Sequence, residues 1–369
     1  MNRMGRCGAL IIWAFAVISL GGGPGLTQTK AATEIRMITD RTGRTVEIPV
    51  TPKRIACFFG PSYEKVFLLG AADRVVMMSL EQRPWAHRLN PRLKEVTVMP
   101  SYAGPDIERI LEIGVDLAFY WQWPQQTEKM AAAGIPVVCP FSGSASPTSI
   151  EAFIEGYKQD MLFYGNVLGG EAETKAAQYC AYFDEKARMI SSRTASIPKE
   201  QRPRVYYISS NRSLFSVQGR HSTTHWAVEM AGGLLVSMGL DDTFVDVSME
   251  QVIAWNPDII VMGGYDSTDL IMKKRNWSTL NAVKNGRVYT SPSGVFLWEK
   301  GSEIPLLLMF LAKTFHPDRF QEINMIEETR SFYRQFYRYD LTAEETHSIL
   351  KQLPGDPQAH ISRENNREM

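Results

Sequence analysis

The chain has 369 residues, 44% of them hydrophobic and 22% charged, with 40 basic and 40 acidic side chains. That length admits two domains of ordinary size, and that composition excludes a disordered chain. A charge balanced to zero offers nothing to hold a nucleic-acid backbone.

The first 31 residues are expected to be an export signal. Arg3 and Arg6 precede the apolar run Gly8–Leu20, and Thr29-Lys30-Ala31 offers a cleavage site. The run falls short of the ~20 residues that span a bilayer. Cys7 comes before it, so no lipobox is seen and a periplasmic location is expected. Next, "RMITDRTGRTVEIP" predicts a hairpin turning at Thr42-Gly43. Apolar runs follow at 54–59, 75–79, 117–121 and 137–141, as in parallel strands covered on both faces. Between them "SYEKVFLLGA", "DIERILEIG" and "PQQTEKMAAAG" have helical spacing and stop at a glycine.

These segments form an expected N-terminal α/β lobe over residues 34–168. Two consecutive helices come next, the second a long connector within 169–197. A C-terminal lobe over 198–341 repeats the plan with "RVYYIS" (204–209), "STTHWAVEMAGG" (222–233), a unit at 248–262 and "GRVYTSP" (286–292). An amphipathic helix over "IPLLLMFLAKTFHP" closes it, and a tail with a disordered end is expected over 342–369. The fold class is therefore α/β, with two similar parallel-sheet lobes joined by a long helix and a ligand cleft between them.

Beyond the signal stand Cys57, Cys139 and Cys180, an odd number that argues against a disulfide framework. An intervening strand is expected between Cys57 and Cys139. Two strand spacings, about 9.5 Å, exceed what a disulfide can bridge. All three are read as small buried side chains.

One word occurs twice. "DIERILEIGVDLAFY" (106–120) aligns without gaps on "SMEQVIAWNPDIIVM" (248–262), 142 positions later. Glu108 falls on Glu250, Ile110 on Val252, Leu111 on Ile253 and Asp116 on Asp258. Such spacing is too long for a solenoid and suits two lobes that share one supersecondary unit. Asp106 and Ser248 are N-cap residues, so both glutamates sit in a first helical turn, where the helix dipole favours a carboxylate without any partner.

With these segments in this order, "DRTGRTVEIPVTPKRIACFFGPSYEKVFLLGAADRVV", "DIERILEIGVDL", "MAGG", "SMEQVIAWNPDIIV" and "WSTLNAVKNGRVYTSP", the chain resembles a known family. It is similar to the periplasmic substrate-binding proteins of ABC importers for iron–siderophore complexes, haem and vitamin B12, over roughly Arg36 to Leu341. The resemblance implies two α/β lobes joined by a stiff helix, no catalysis, no cofactor, and a small-molecule metal chelate as cargo. It also implies a monomer that docks onto arginines of an ABC permease dimer in the inner membrane, with Glu108 and Glu250 as the docking carboxylates.

The repeat register also locates the expected cleft. Tyr102 and Phe244 stand six residues before the two glutamates, and Trp121 stands thirteen after Glu108 at a predicted strand end. All three match pocket positions in the vitamin B12-binding relative. Trp85 and Trp298 join them by position, as do the polar residues Arg83, His87, Arg88, Arg220 and His221. Arginines suit the carboxylates of haem propionates or ferric citrate, so an anionic cargo is expected. Among haem-binding relatives a tyrosine in the matching loop ligates iron, which makes Tyr102 a candidate ligand; for a ferric catecholate, His225 is the candidate.

Two rival readings remain. "HSTTH" places His221 and His225 at i, i+4, a spacing that can share a metal on a helix, but it lacks the zinc-protease glutamate. A bare-metal receptor needs more converging ligands, while nickel, bare or chelated, and a corrinoid stay open. An exported enzyme finds no support from a nucleophile elbow, phosphate loop or dinucleotide fingerprint.

Overall fold

The computed structural model describes residues 34–79, 84–99, 103–141, 146–209, 213–220, 222–241 and 244–350. The expected signal and the last 19 residues of the expected tail lie outside them. The chain begins with the hairpin β1 (Ile35–Thr39) and β2 (Thr45–Pro49). Its turn is set by Asp40, whose Oδ1 accepts from the amide and hydroxyl of Thr42 and the amide of Arg44. The N-terminal lobe continues as β3 (Ile55–Cys57), α1 (Ser62–Leu68), β4 (Val75–Met78), α2 (Pro84–Leu89) and β5 (Thr97–Val98). Then come α3 (Ile107–Ile113), β6 (Leu117–Phe119), α4 (Pro124–Ala132) and β7 (Val137–Val138). The five strands are parallel in the order β5-β4-β3-β6-β7.

Two helices follow, α5 (Ile150–Leu168) and α6 (Glu171–Thr194). At 24 residues α6 is about 36 Å long. The C-terminal lobe contains β8 (Arg204–Ile208), β9 (Ser216–Val217), α7 (Thr223–Met230), β10 (Leu234–Leu235), β11 (Val245–Asp246), α8 (Met249–Trp255) and β12 (Ile259–Met262). It continues with α9 (Asp269–Met272), α10 (Asn281–Lys284), β13 (Val288–Thr290) and α11 (Ile304–Phe315). Its sheet runs β11-β9-β8-β12-β13. The amino half of one β8 edge pairs with β10, the carboxyl end with β9.

The helical part does not stop at α11. It goes on through α12 (Met325–Phe332), a π-helical turn at Tyr333–Tyr337 and α13 (Ala343–Leu350). The tail expected from 342 thus opens with a packed helix, and Arg88 of the N-terminal lobe bonds to its Glu345 at 2.7 Å.

Strand alternation explains the core. Ile55 and Cys57 of β3 join Val205 and Tyr207 of β8 and Ile259 and Val261 of β12 in one apolar cluster that threads both lobes. Ala56 turns outward, onto a cluster under α3 that holds Ile110. Tyr206, Ile208, Ile260 and Met262 turn outward onto the matching cluster under α8, which holds Val252. The three cysteines are free and buried, and β6 does separate Cys57 from Cys139. Among the described residues, no helix is long and apolar enough to cross a membrane.

Candidate functional site

In an open parallel sheet the crevice forms at the carboxyl ends, where strand order reverses. In the N-terminal lobe that point lies between β3 and β6. Phe59 leaves β3 there, its amide donating to Phe119 O at 3.1 Å, and Trp121 leaves β6. Their rings meet edge to face with centroids 4.5 Å apart. Phe141, past the end of β7 and 42% exposed, stacks on Phe59 at 6.0 Å. Trp123 stacks beside Trp121 at 6.2 Å. Four rings therefore form an aromatic wall at the switch point.

Only Trp121 of this wall is a residue that sequence reasoning picked. Phe59 and Phe141 lie in "RIACFF" and "VVCPF", which read as uninterrupted strands. Yet β3 ends at Cys57 and β7 at Val138, so both phenylalanines fall on strand-end loops. Shorter strands would have revealed them.

The C-terminal lobe presents Phe244, 54% exposed, with Lys300 Nζ 5.9 Å above its ring. Lys300 belongs to the loop 291–303, which follows β13. A Cβ at Gly263, just past β12, would stand 2.7 Å from Ile208 O and 2.9 Å from Glu299 Oε1. Its absence lets this loop close over the β8–β12 switch point. Glu299 Oε2 accepts from Ser291 Oγ at 3.1 Å, and Tyr207 donates to that same Oγ at 2.9 Å.

Trp85 and Trp298 are buried in the shared apolar cluster, and Trp298 Nε1 has no hydrogen-bond partner among the described residues. Arg88 is held by Glu345, and Arg220 Nε lies 2.8 Å from Asp241 Oδ1, so each arginine has a carboxylate partner. His87 sits in the last turn of α2. His225 is buried, with Nε2 3.1 Å from Glu229 Oε2. It faces a cavity of about 210 Å³ lined by Arg202 and Leu234, which flank the amino end of β8, far from the strand ends that carry the wall. Arg83, Tyr102 and His221 lie outside the described residues. Among the described residues no group of three His, Cys, Asp or Glu side chains converges to hold a bare ion.

A wider groove, about 690 Å³, lies between the hairpin turn and α5. Arg41, on its wall, is within 3.4 Å of Asp160, and Asp40 is engaged by Arg44. Among the described residues that line it, Phe163 alone is aromatic.

Glu108 and Glu250 are both exposed in the first turns of α3 and α8. Hydrogen bonds to the Glu250 amide and Ser248 hydroxyl hold the Glu250 carboxyl below its usual range. One turn on, Leu111 and Ile253 are 50% and 46% exposed.

Residues 55–294 match the family model described as periplasmic binding protein, and the chain belongs to that family. It is a solute-binding protein of an ABC importer, not an enzyme. The molybdate-binding protein MolA of Haemophilus influenzae is 24% identical over 326 residues, 82% of this chain and 91% of MolA. A periplasmic solute binding protein of Veillonella parvula superposes with a TM-score of 0.73 at 24% identity, covering 88% of this chain and 99% of that one. Helicobacter pylori CeuE, solved as a Ni-His complex, superposes with a TM-score of 0.65 at 18% identity, covering 86% and 99%.

Proposed function

We propose that the protein captures an iron chelate, a ferric siderophore or haem, between its lobes and hands it to the permease of an ABC importer. The wall of Phe59, Trp121, Phe141 and Trp123 carries this reading. Aromatic faces offer large, flat contact area to a planar or aryl-rich chelate. They offer little to a compact oxyanion, which is held by converging N–H donors and cations.

Two relatives point elsewhere, one to molybdate and one to a nickel complex. Against molybdate stands the engagement of Arg88 and Arg220 by carboxylates. The same engagement weakens the case for an anionic cargo, which now rests on Arg83, and it leaves room for a neutral corrinoid. Equilibrium dialysis against ferric siderophores, haemin, cobalamin, molybdate and nickel with and without histidine tests the reading. Retention of a ferric chelate or haemin is the expected result. Retention of molybdate alone would refute it.

Docking is proposed to use Glu108 and Glu250. The support is their equivalence: each lobe exposes a carboxylate with an apolar side chain one turn beyond it, Leu111 or Ile253. A permease dimer with two-fold symmetry would meet the same patch twice.

A further inference from the structure

The junction between the lobes holds acid groups that the aromatic wall does not use. Glu64, in the first turn of α1, and Glu303, just before α11, are both fully buried. Glu64 reaches from one lobe to the other. Its Oε1 accepts from the Ser302 amide, and its Oε2 accepts from the Ser302 hydroxyl at 3.2 Å. The Tyr337 hydroxyl donates to Oε1 at 3.5 Å. Glu303 accepts from the Tyr333 hydroxyl through Oε1, and from the Phe296 amide through Oε2 at 3.2 Å. The rings of Tyr333 and Tyr337 lie 5.0 Å apart on the π-helical turn, which makes the two carboxyls neighbours. From α6, Tyr179 donates to Ser302 O at 2.9 Å, so the connector is tied to the same point.

The charges do not balance. Lys65, buried beside Glu64, is the cation that faces the pair among the described residues, with its Nζ 5.9 Å above the Tyr164 ring. Tyr157 and Asp160 of α5 and Glu299 of the loop face the same region and add no positive charge. Two buried carboxylates with one lysine leave a net negative charge where charge is costly. We propose that Glu64 and Glu303 form a proton-operated clasp between the lobes, closed while Glu303 holds its proton and loosened once both carboxyls are charged. The clasp is independent of which cargo the cleft takes.

Burial pushes the Glu303 carboxyl up to about 8, and the neighbouring Glu64 adds to the rise. Burial raises Glu64 too, opposed by Lys65 and the donors of Ser302. A carboxyl that binds its proton more tightly folded than unfolded stabilises fully below the ordinary carboxyl range, and this contribution is lost as pH rises towards the folded value. The window for Glu303 thus runs from about 4.5 up to about 8.

The test is thermal unfolding of the full chain, together with hydrogen-exchange protection of residues 62–68 and 296–303, between about pH 6 and about pH 9. Wild type should lose both melting temperature and protection as pH rises. Glu303→Gln, neutral at every pH, should lose clearly less of both than wild type over the same range. Glu64→Gln should move the loss to lower pH by roughly half a unit or more, because the repelling charge is gone. A level wild-type profile, or the same loss in Glu303→Gln, would overturn the clasp. Should Glu303→Gln fail to fold, Tyr333→Phe decides. It removes a donor to the charged carboxylate and must move the loss to higher pH, so an unmoved midpoint overturns the proposal.

Discussion

At the residue scale, the "MAGG" segment shows why a side chain is absent. Gly232 has φ +82, and a Cβ there would stand 2.7 Å from His316 Nε2. That nitrogen lies 3.0 Å from Gly232 O. A Cβ on Gly233 would meet Phe315 at 2.8 Å and Val205 and Val228 at 3.0 Å. Gly232→Ala should cost roughly 1–2 kcal/mol for the left-handed backbone alone. Gly233→Ala should cost roughly 1–3 kcal/mol from overpacking. Denaturant titration reads both. Burial also holds the His316 imidazole below the ordinary histidine range of 6.5. The unfolded chain therefore takes up this proton first, and stability from His316 is lost as pH falls below that range. Between about pH 7.5 and about pH 5 the advantage of wild type over His316→Gln should shrink, and a constant difference would contradict the assignment.

At the element scale, the repeated word is a structural unit twice over. Asp106 caps α3 by accepting from the Arg109 amide, and Ser248 caps α8 by accepting from the Gln251 amide. Both helices end in a left-handed residue, Gly114 or Asn256. Asp116 then accepts from the amides of Lys53 and Arg54 ahead of β3, as Asp258 accepts from the Arg204 amide at the start of β8. Caps and strand ties account for the three aspartates and Ser248, whereas neither exposed glutamate caps a helix or ties a strand, Glu250 only sharing the hydroxyl of the capping Ser248. Replacing Glu108 and Glu250 together by Ala should abolish uptake in cells while leaving ligand affinity in solution unchanged. Uptake that survives the double change would reduce them to favourable first-turn residues. The helices and their caps were legible from period and capping alone, because both are local, but the ties made by Asp116 and Asp258 were not. The helices after α11 were not, since their packing depends on distant partners such as Phe67, 5.2 Å from Tyr337.

At the scale of the whole molecule, a single apolar cluster runs through both lobes, and the first turn of α1 meets the loop after β13 at Glu64 and Ser302. The alternation of strands and helices in each lobe could be read from the sequence because buried parallel strands are nearly continuous apolar runs, whereas the order of the strands in each sheet came from the structure. The site was less legible, because an aromatic in such a run belongs to the strand or to its loop according to where the ladder stops. Trp121 and Trp298 show the consequence. Trp121 is half-buried in the wall, whereas Trp298 is fully buried, so Trp298→Ala should cost about 3–5 kcal/mol of stability.

The most direct measurement is a fluorescence titration of wild type and Trp121→Ala with the ferric siderophore or haemin that dialysis retains. Wild-type tryptophan emission should be quenched on binding. Trp121→Ala should bind at least about tenfold more weakly, a difference of about 1.4 kcal/mol. Its unliganded melting temperature should fall far less than that of Trp298→Ala. Equal affinity in the two chains would contradict a ligand site on the aromatic wall.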